Sequence, residues 1–262
     1  MGTAGALALG ACGLLTGCGG TGSGAGSAVG VSGGSAAPAA AGRTTVTVLA
    51  AASLTESFQV IEKDYERSHP DADLQISFAA SSTIVQQVSA GAPADVVALA
   101  GESAATPLPK DLLAKGGRAV IATNTLEIGV AQGNPSGITS LSDLGRPGLK
   151  VVLCASSVPC GAAADAALDR ARVAASVVSR ETDVKATLTK VRLGEADAAV
   201  VYHSDVVGAR GAVTGIPVPA EANQTLRYPL IWLNTKPTTT DFATYVSTEG
   251  QNVLQDNGFG MP

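Results

Sequence analysis

The chain has 262 residues, 45% hydrophobic and 15% charged, and 17 basic against 22 acidic side chains leave a net charge of −5, which excludes a basic nucleic-acid binder. The longest apolar run, about a dozen residues from Ala4 to Leu15, is too short to cross a bilayer, which takes about 20. Setting aside an atypical N-terminus, roughly 220 residues remain, enough to bury a core as one large domain or as two lobes of about 100 residues each.

No charged residue precedes Arg43. A secretory signal opens with Lys or Arg, continues as an apolar stretch and closes on small residues at a cleavage site. Here the basic part is missing, so Met1 reads as an internal start or a shortened beginning. The stretch ends Leu15-Thr16-Gly17-Cys18, which resembles the lipobox of bacterial lipoproteins. That resemblance implies a signal peptide over 1–17, cleavage before Cys18 and a lipid on the Cys18 thiol, with acyl chains enough for stable anchoring. Gly19 to Gly42 holds nothing large enough to bury, so 18–42 reads as a lipidated flexible tether. Within it, Gly30-Val31-Ser32-Gly33-Gly34 matches the serine-hydrolase pattern G-x-S-x-G in letters only, because no strand precedes it and no helix follows. Cys12 leaves with the signal and Cys18 carries lipid, so Cys154 and Cys160 remain as an even pair in an oxidising compartment, which points to a disulfide. A metal site needs more ligands than these, and the two histidines, His69 and His203, are isolated.

From Thr44 the chain alternates strand and helix patterns. Thr44 to Ala50 is β-branched and apolar and reads as a buried strand. Ser53 to Arg67 follows helical spacing, with Leu54, Phe58, Ile61 and Tyr65 on one face and Ser68-His69-Pro70 as the stop. Next come strand Leu74 to Ala79, helix Ser82 to Ala90, strand Asp95 to Ala100, helix Leu108 to Lys115, and strands at Arg118 to Thr123 and Leu126 to Ala131. Helix Leu141 to Leu144, strand Lys150 to Cys154, helix Cys160 to Val173, strand Ser176 to Ser179, helix Val184 to Leu193 and strand Ala198 to Tyr202 complete the series. Such alternation predicts an α/β fold of βαβ units, with mainly parallel sheets covered by helices on both faces.

Several helices begin directly after a strand, at Ser53, at Ser81-Ser82, at Pro159-Cys160-Gly161 and at Thr182-Asp183-Val184. Ligands of open α/β sheets bind beyond the carboxyl ends of strands, where helix starts point unpaired N–H groups and about half a positive charge each. Several together make an anion site without Lys or Arg. Structural readings stand beside this one. Ser53-Leu54-Thr55-Glu56 is also a capping box, Ser81 or Ser82 an ordinary N-cap, Tyr202 a core aromatic at a strand end, Asp95 a turn carboxylate, and His203 a surface residue.

The motifs Ala50-Ala51-Ala52-Ser53-Leu54, Phe78-Ala79-Ala80-Ser81-Ser82-Thr83, Gly91-Ala92-Pro93-Ala94-Asp95, Val158-Pro159-Cys160-Gly161, Asp183-Val184 and Val200-Val201-Tyr202 occur in one order across 44–262. Together they resemble the molybdate-binding proteins of bacterial ABC importers. The resemblance implies a two-lobed periplasmic-binding-protein fold with an oxyanion clamped between lobes, lobe I being 43–124 plus 227–262 and lobe II 125–226. It places hydroxyl and backbone donors on Ser53 and Ser81, backbone N–H donors on Cys160 and Val184, and a phenolic donor on Tyr202. It also implies no cofactor, with molybdate or tungstate as ligand and no direct metal ligand. The partners it implies are a membrane permease and its ATPase subunit, reached from the extracytoplasmic face of the membrane by a lipid-anchored monomer that binds no nucleic acid. Cys160 stands where many relatives have Ala, and Gly101-Glu102 where an Ala-Asp pair is usual. Sulfate or thiosulfate on the same fold, or Fe(III), are the alternatives, the last disfavoured because such receptors typically pair tyrosines whereas His203 follows Tyr202. No nucleophile with a base and an orienting group supports an enzyme.

Overall fold

A computed structural model describes residues 42–262; the expected signal peptide, Cys18 and the tether up to Ala41 lie outside the described residues. The described chain forms two mixed five-stranded sheets with helices packed against them. The first sheet joins β1 (Thr44–Ala51), β2 (Ala72–Ala79), β3 (Val96–Ala98), β4 (Gly117–Asn124) and β10 (Leu226–Trp232) in the order β2-β1-β3-β10-β4. The second joins β5 (Leu126–Ala131), β6 (Val151–Cys154), β7 (Val177–Glu181), β8 (Ala198–Tyr202) and β9 (Val213–Pro217) in the order β7-β6-β8-β5-β9.

The expected parallel pairings are present, β1 with β2 and β3, and β6 with β7 and β8. Beside them each sheet carries antiparallel strands, β10 against β3 and β4, and β5 against β8 and β9. The reason is connectivity: β5 and β10 enter their sheets from the other sheet rather than through a helical crossover, and so run the opposite way. The two passages lie side by side, Leu226 pairing with Asn124. There the Asn223 side chain stands in for a strand neighbour, accepting from the Leu126 N–H and donating to the Leu126 carbonyl, each at 2.9 Å.

Helix α1 (Thr55–Ser68) buries the face that its spacing marks out, since Phe58, Ile61 and Tyr65 are fully buried, as is Leu54 just before it. Each such side chain contributes roughly 1.5–3 kcal/mol. Helices α2 (Ser81–Ser89), α4 (Pro159–Ala171) and α5 (Val184–Arg192) follow β2, β6 and β7, and the short α3 (Lys110–Leu113) precedes β4. After β8 come α6 (His203–Gly208) and, past β10, α7 (Pro237–Ser247) and α8 (Gly250–Asp256), which return to the first sheet and α1. Gly161 lets α4 start against the loop behind it: a Cβ there would stand 2.0 Å from the Ala155 carbonyl oxygen. The Cys154–Cys160 disulfide ties the end of β6 to the first turn of α4.

Candidate functional site

Four helix starts meet between the two sheets, and what they lack defines the site. Ala80 caps α2 and Val158 caps α4, and neither helix has a side-chain cap. Ala and Val are among the poorest N-cap residues, so the first N–H groups of both helices stay open. Pro159 supplies no N–H, which makes that of Cys160 the first in α4. At α5 the Asp183 carboxylate caps, but it accepts from Ala186 N at 2.9 Å and leaves the Val184 N–H, at the first helical position, without an intrahelical acceptor.

The capping-box reading of Ser53 gives way here. Ser53 sits in a 3-10 turn (Ala52–Leu54) ahead of α1, and its hydroxyl lies 3.0 Å from the Tyr228 hydroxyl. Glu56, which a capping box would turn back on the chain, pairs with Lys185 instead. Ser81 begins α2, and its hydroxyl accepts from the Ala100 N–H at 2.9 Å, leaving the hydroxyl hydrogen to donate elsewhere. Ser82 faces a different space, a groove of about 700 Å³ alongside.

Ser53, Ser81, Cys160, Val184 and Tyr202 all line one small cavity of about 20 Å³, a little more than one water molecule needs. Tyr202 ends β8 and is 1% exposed, and among the described residues its hydroxyl has no hydrogen-bond partner. Burial pushes its phenol well up, with Tyr228 and Asp205 adding to the effect, so it remains a donor. Among the described residues no Lys or Arg lines the cavity, and the one charged side chain there, Asp183, is the carboxylate that caps α5. Hydroxyls, open helix starts and a buried phenol without a basic side chain suit a small anion that only accepts hydrogen bonds.

The remaining expected residues fall where their structural readings put them. Asp95 precedes β3 and accepts from Thr47 N, Asn234 and Lys236, which together hold its carboxyl below the ordinary range despite burial. His203 is half-exposed and pairs with Glu127 at 2.7 Å. Among the described residues no cluster of side chains has the makings of a metal centre.

Two groups behind the cavity escape sequence reasoning. Tyr228 and Asn124 back Ser53. Lys185 joins Glu56 of α1 to the fully buried Asp205 of α6, whose carboxyl also accepts from Tyr202 N at 3.2 Å. Burial alone would lower the Lys185 pKa, but the two carboxylates outweigh it and hold the pKa above the ordinary value. In the sequence the only mark of this pair is position, Lys185 directly after the Asp183-Val184 motif and Glu56 two residues beyond the motif that ends at Leu54.

Residues 46–260 match the family model of bacterial extracellular solute-binding proteins. The chain is similar to the molybdate-binding protein ModA of Mycobacterium tuberculosis, 36% identical over 84% of this chain and 86% of that one. The ModA of Haemophilus influenzae is 30% identical over 82% of this chain and 89% of its own length. Among solved structures, the periplasmic molybdate-binding protein of Azotobacter vinelandii aligns with a TM-score of 0.72 at 15% identity, covering 83% of this chain and 99% of that one.

Proposed function

Because the chain belongs to the bacterial extracellular solute-binding protein family, we propose that it captures molybdate or tungstate in the cavity between its sheets and delivers it to an ABC permease in the membrane. It is a binding protein, not an enzyme. The observation that carries the oxyanion reading is the Tyr202 hydroxyl, buried without a partner on a cavity where uncapped helix starts converge. Ser53 and Ser81 add hydroxyl and backbone donors, Cys160 and Val184 backbone N–H groups. Each charge-assisted bond contributes about 1.5–3 kcal/mol. A protonated oxyanion such as hydrogen phosphate would bring an O–H that the serine hydroxyls, the phenol and the helix-start N–H groups do not accept, at a cost of about 1–3 kcal/mol, and the one carboxylate on the wall, Asp183, is turned to the Ala186 N–H at 2.9 Å. Sulfate is also fully deprotonated, and Fe(III) finds no pair of tyrosines here, since Tyr228 is engaged with Ser53 and Asn124.

A thermal-shift panel tests this. Molybdate and tungstate at about 100 times their dissociation constants should stabilise the fold by about 2.7 kcal/mol, with sulfate weak and phosphate inert. A sulfate response equal to the molybdate response would sink the assignment. Tyr202→Phe keeps the ring and removes the donor, so molybdate affinity should fall about tenfold in calorimetry while the ligand-free melting temperature holds. Unchanged affinity would return Tyr202 to a purely packing role.

We propose lobes of 43–124 plus 227–262 and of 125–226, hinged at the paired passages around Asn124 and Leu226, with closure on the anion. Small-angle scattering should then show a smaller radius of gyration with molybdate than without, and identical dimensions would argue against a hinge. Lipid anchoring through Cys18, after loss of 1–17, would hold the protein as a monomer near its permease and the associated ATPase.

A further inference from the structure

Behind the cavity four buried polar side chains form one line of hydrogen bonds: Ser204, Asn124, Tyr228 and Ser53, none more than 3% exposed. Asn124 ends β4, where the chain passes to the second sheet. Its Oδ1 accepts from Thr125 N at 3.0 Å and faces Ser204 N at 3.4 Å, so the amide cannot be turned round, and Nδ2 is the atom that meets Ser204 Oγ at 2.8 Å and Tyr228 Oη at 3.3 Å. An amide nitrogen only donates. The Tyr228 hydroxyl therefore accepts from Asn124, and its own hydrogen has Ser53 Oγ, at 3.0 Å, to go to. Complete burial of the ring keeps that hydrogen on the phenol. With its oxygen already accepting, Ser53 has its own hydrogen left over, on the side of the cavity.

We infer that Asn124 and Tyr228 are positioning residues that fix the polarity of the Ser53 hydroxyl, so that it offers the anion a hydrogen and not a lone pair, and thereby reject oxyanions that still carry a proton. This rests on the oxyanion reading above. Ser81 reaches the same polarity through the Ala100 N–H, a main-chain group that no side-chain change can remove. Ser53 is thus the one serine of the pair whose selectivity is set by exchangeable side chains. Without the Tyr228 hydroxyl, Ser53 could turn its lone pair to the cavity and accept from the O–H of hydrogen phosphate.

The test is calorimetry of the purified chain with molybdate, sulfate and hydrogen phosphate, the last by displacement where direct heats are small, on the native protein, Tyr228→Phe, Ser53→Ala and the double variant. Phe keeps the edge-on packing of ring 228 against Tyr202 and Phe259, so the variant retains its core. Tyr228→Phe should weaken molybdate and sulfate by the same factor, about tenfold, while hydrogen phosphate is not weakened, so the discrimination against it falls by about tenfold or more. In the Ser53→Ala background Tyr228→Phe should change molybdate affinity no further, because the two residues act as one unit. Equal weakening of all three anions, or additive losses in the double variant, would overturn the inference by making Tyr228 a packing residue. A native protein that binds none of the three would overturn the oxyanion reading itself, and the inference with it.

Discussion

Lys185→Met should destabilise the protein by about 3 kcal/mol near neutral pH, the low end of what breaking a buried ion pair costs, and lower the melting temperature by roughly 10 °C. Lys185 is the one cation against Asp205, which has no solvent exposure, while Glu56 can turn to water. Burial already raises the Asp205 pKa, with Lys185 pulling against it. Removing Lys185 raises it further. A carboxyl whose folded-state pKa lies above its unfolded value costs stability once pH exceeds the unfolded value, near 3.9, and the cost grows until pH passes the folded value. The variant should therefore approach native stability toward acid and lose ground as pH climbs through the weakly acidic range. Lys185 itself, with its pKa raised, contributes fully below its ordinary value, so in the native protein, where the Asp205 pKa is raised less, the same loss is smaller. Denaturant unfolding at several pH values measures this, with Asp205→Asn added to Lys185→Met as the compensating change. A pH-independent loss under about 1 kcal/mol would show that the pair is not stabilising.

Val184→Pro should leave the fold intact and cost molybdate about 10- to 100-fold in affinity. Val184 is the first residue of α5, where proline is favoured, and Asp183 before it is extended at ψ 173°, the conformation a following proline demands. The Asp183 cap on Ala186 is untouched. What disappears is an N–H, and ring atoms take its place on the cavity wall. Cys160 does not offer the same experiment, because Pro159 before it is already helical and a second proline would force it out. Native affinity in Val184→Pro, by calorimetry, would remove the α5 start from the site.

The elements up to Tyr202 are legible because their apolar spacing is regular. Leu126 to Ala131 and Ala198 to Tyr202 coincide with β5 and β8. The C-terminal helices are not. Helix α7 reads Pro-Thr-Thr-Thr, a loop by propensity, and is helical because Phe242, Ala243 and Val246 are buried, while the Thr240 and Thr244 hydroxyls are satisfied by carbonyls one turn earlier. Tertiary burial overrides local preference there. At the candidate site, the helix starts at Ser53, Ser81, Cys160 and Val184 could be named from their positions after strands, since backbone donors need only a helix start and its neighbours, whereas Tyr202, a side-chain donor, comes only from the resemblance. Tyr228, Asn124, Lys185 and Asp205 could not, because what they do depends on partners far away in the chain. Tyr228 meets Ser53 across 175 positions, and Lys185 meets Glu56 across 129.

The strand order of the first sheet has a consequence for how the molecule is assembled. The second sheet is drawn from one continuous stretch, 126–217, and can close as soon as that stretch is available. In the first sheet β10 lies between β3 and β4, so β4 has no partner in the sheet until residues 226–232 arrive. A chain emerging from its N-terminus, off the ribosome or through an export channel, must hold β1, β2 and β3 as a fragment with an open edge while the other sheet completes. The loop to be closed spans more than a hundred residues, so this last pairing is the slow, non-local step. Half of the candidate cavity, the half carrying Ser53 and Ser81, is thereby finished only when the chain is nearly complete, and a truncation before β10 would leave a folded second sheet with half of that cavity.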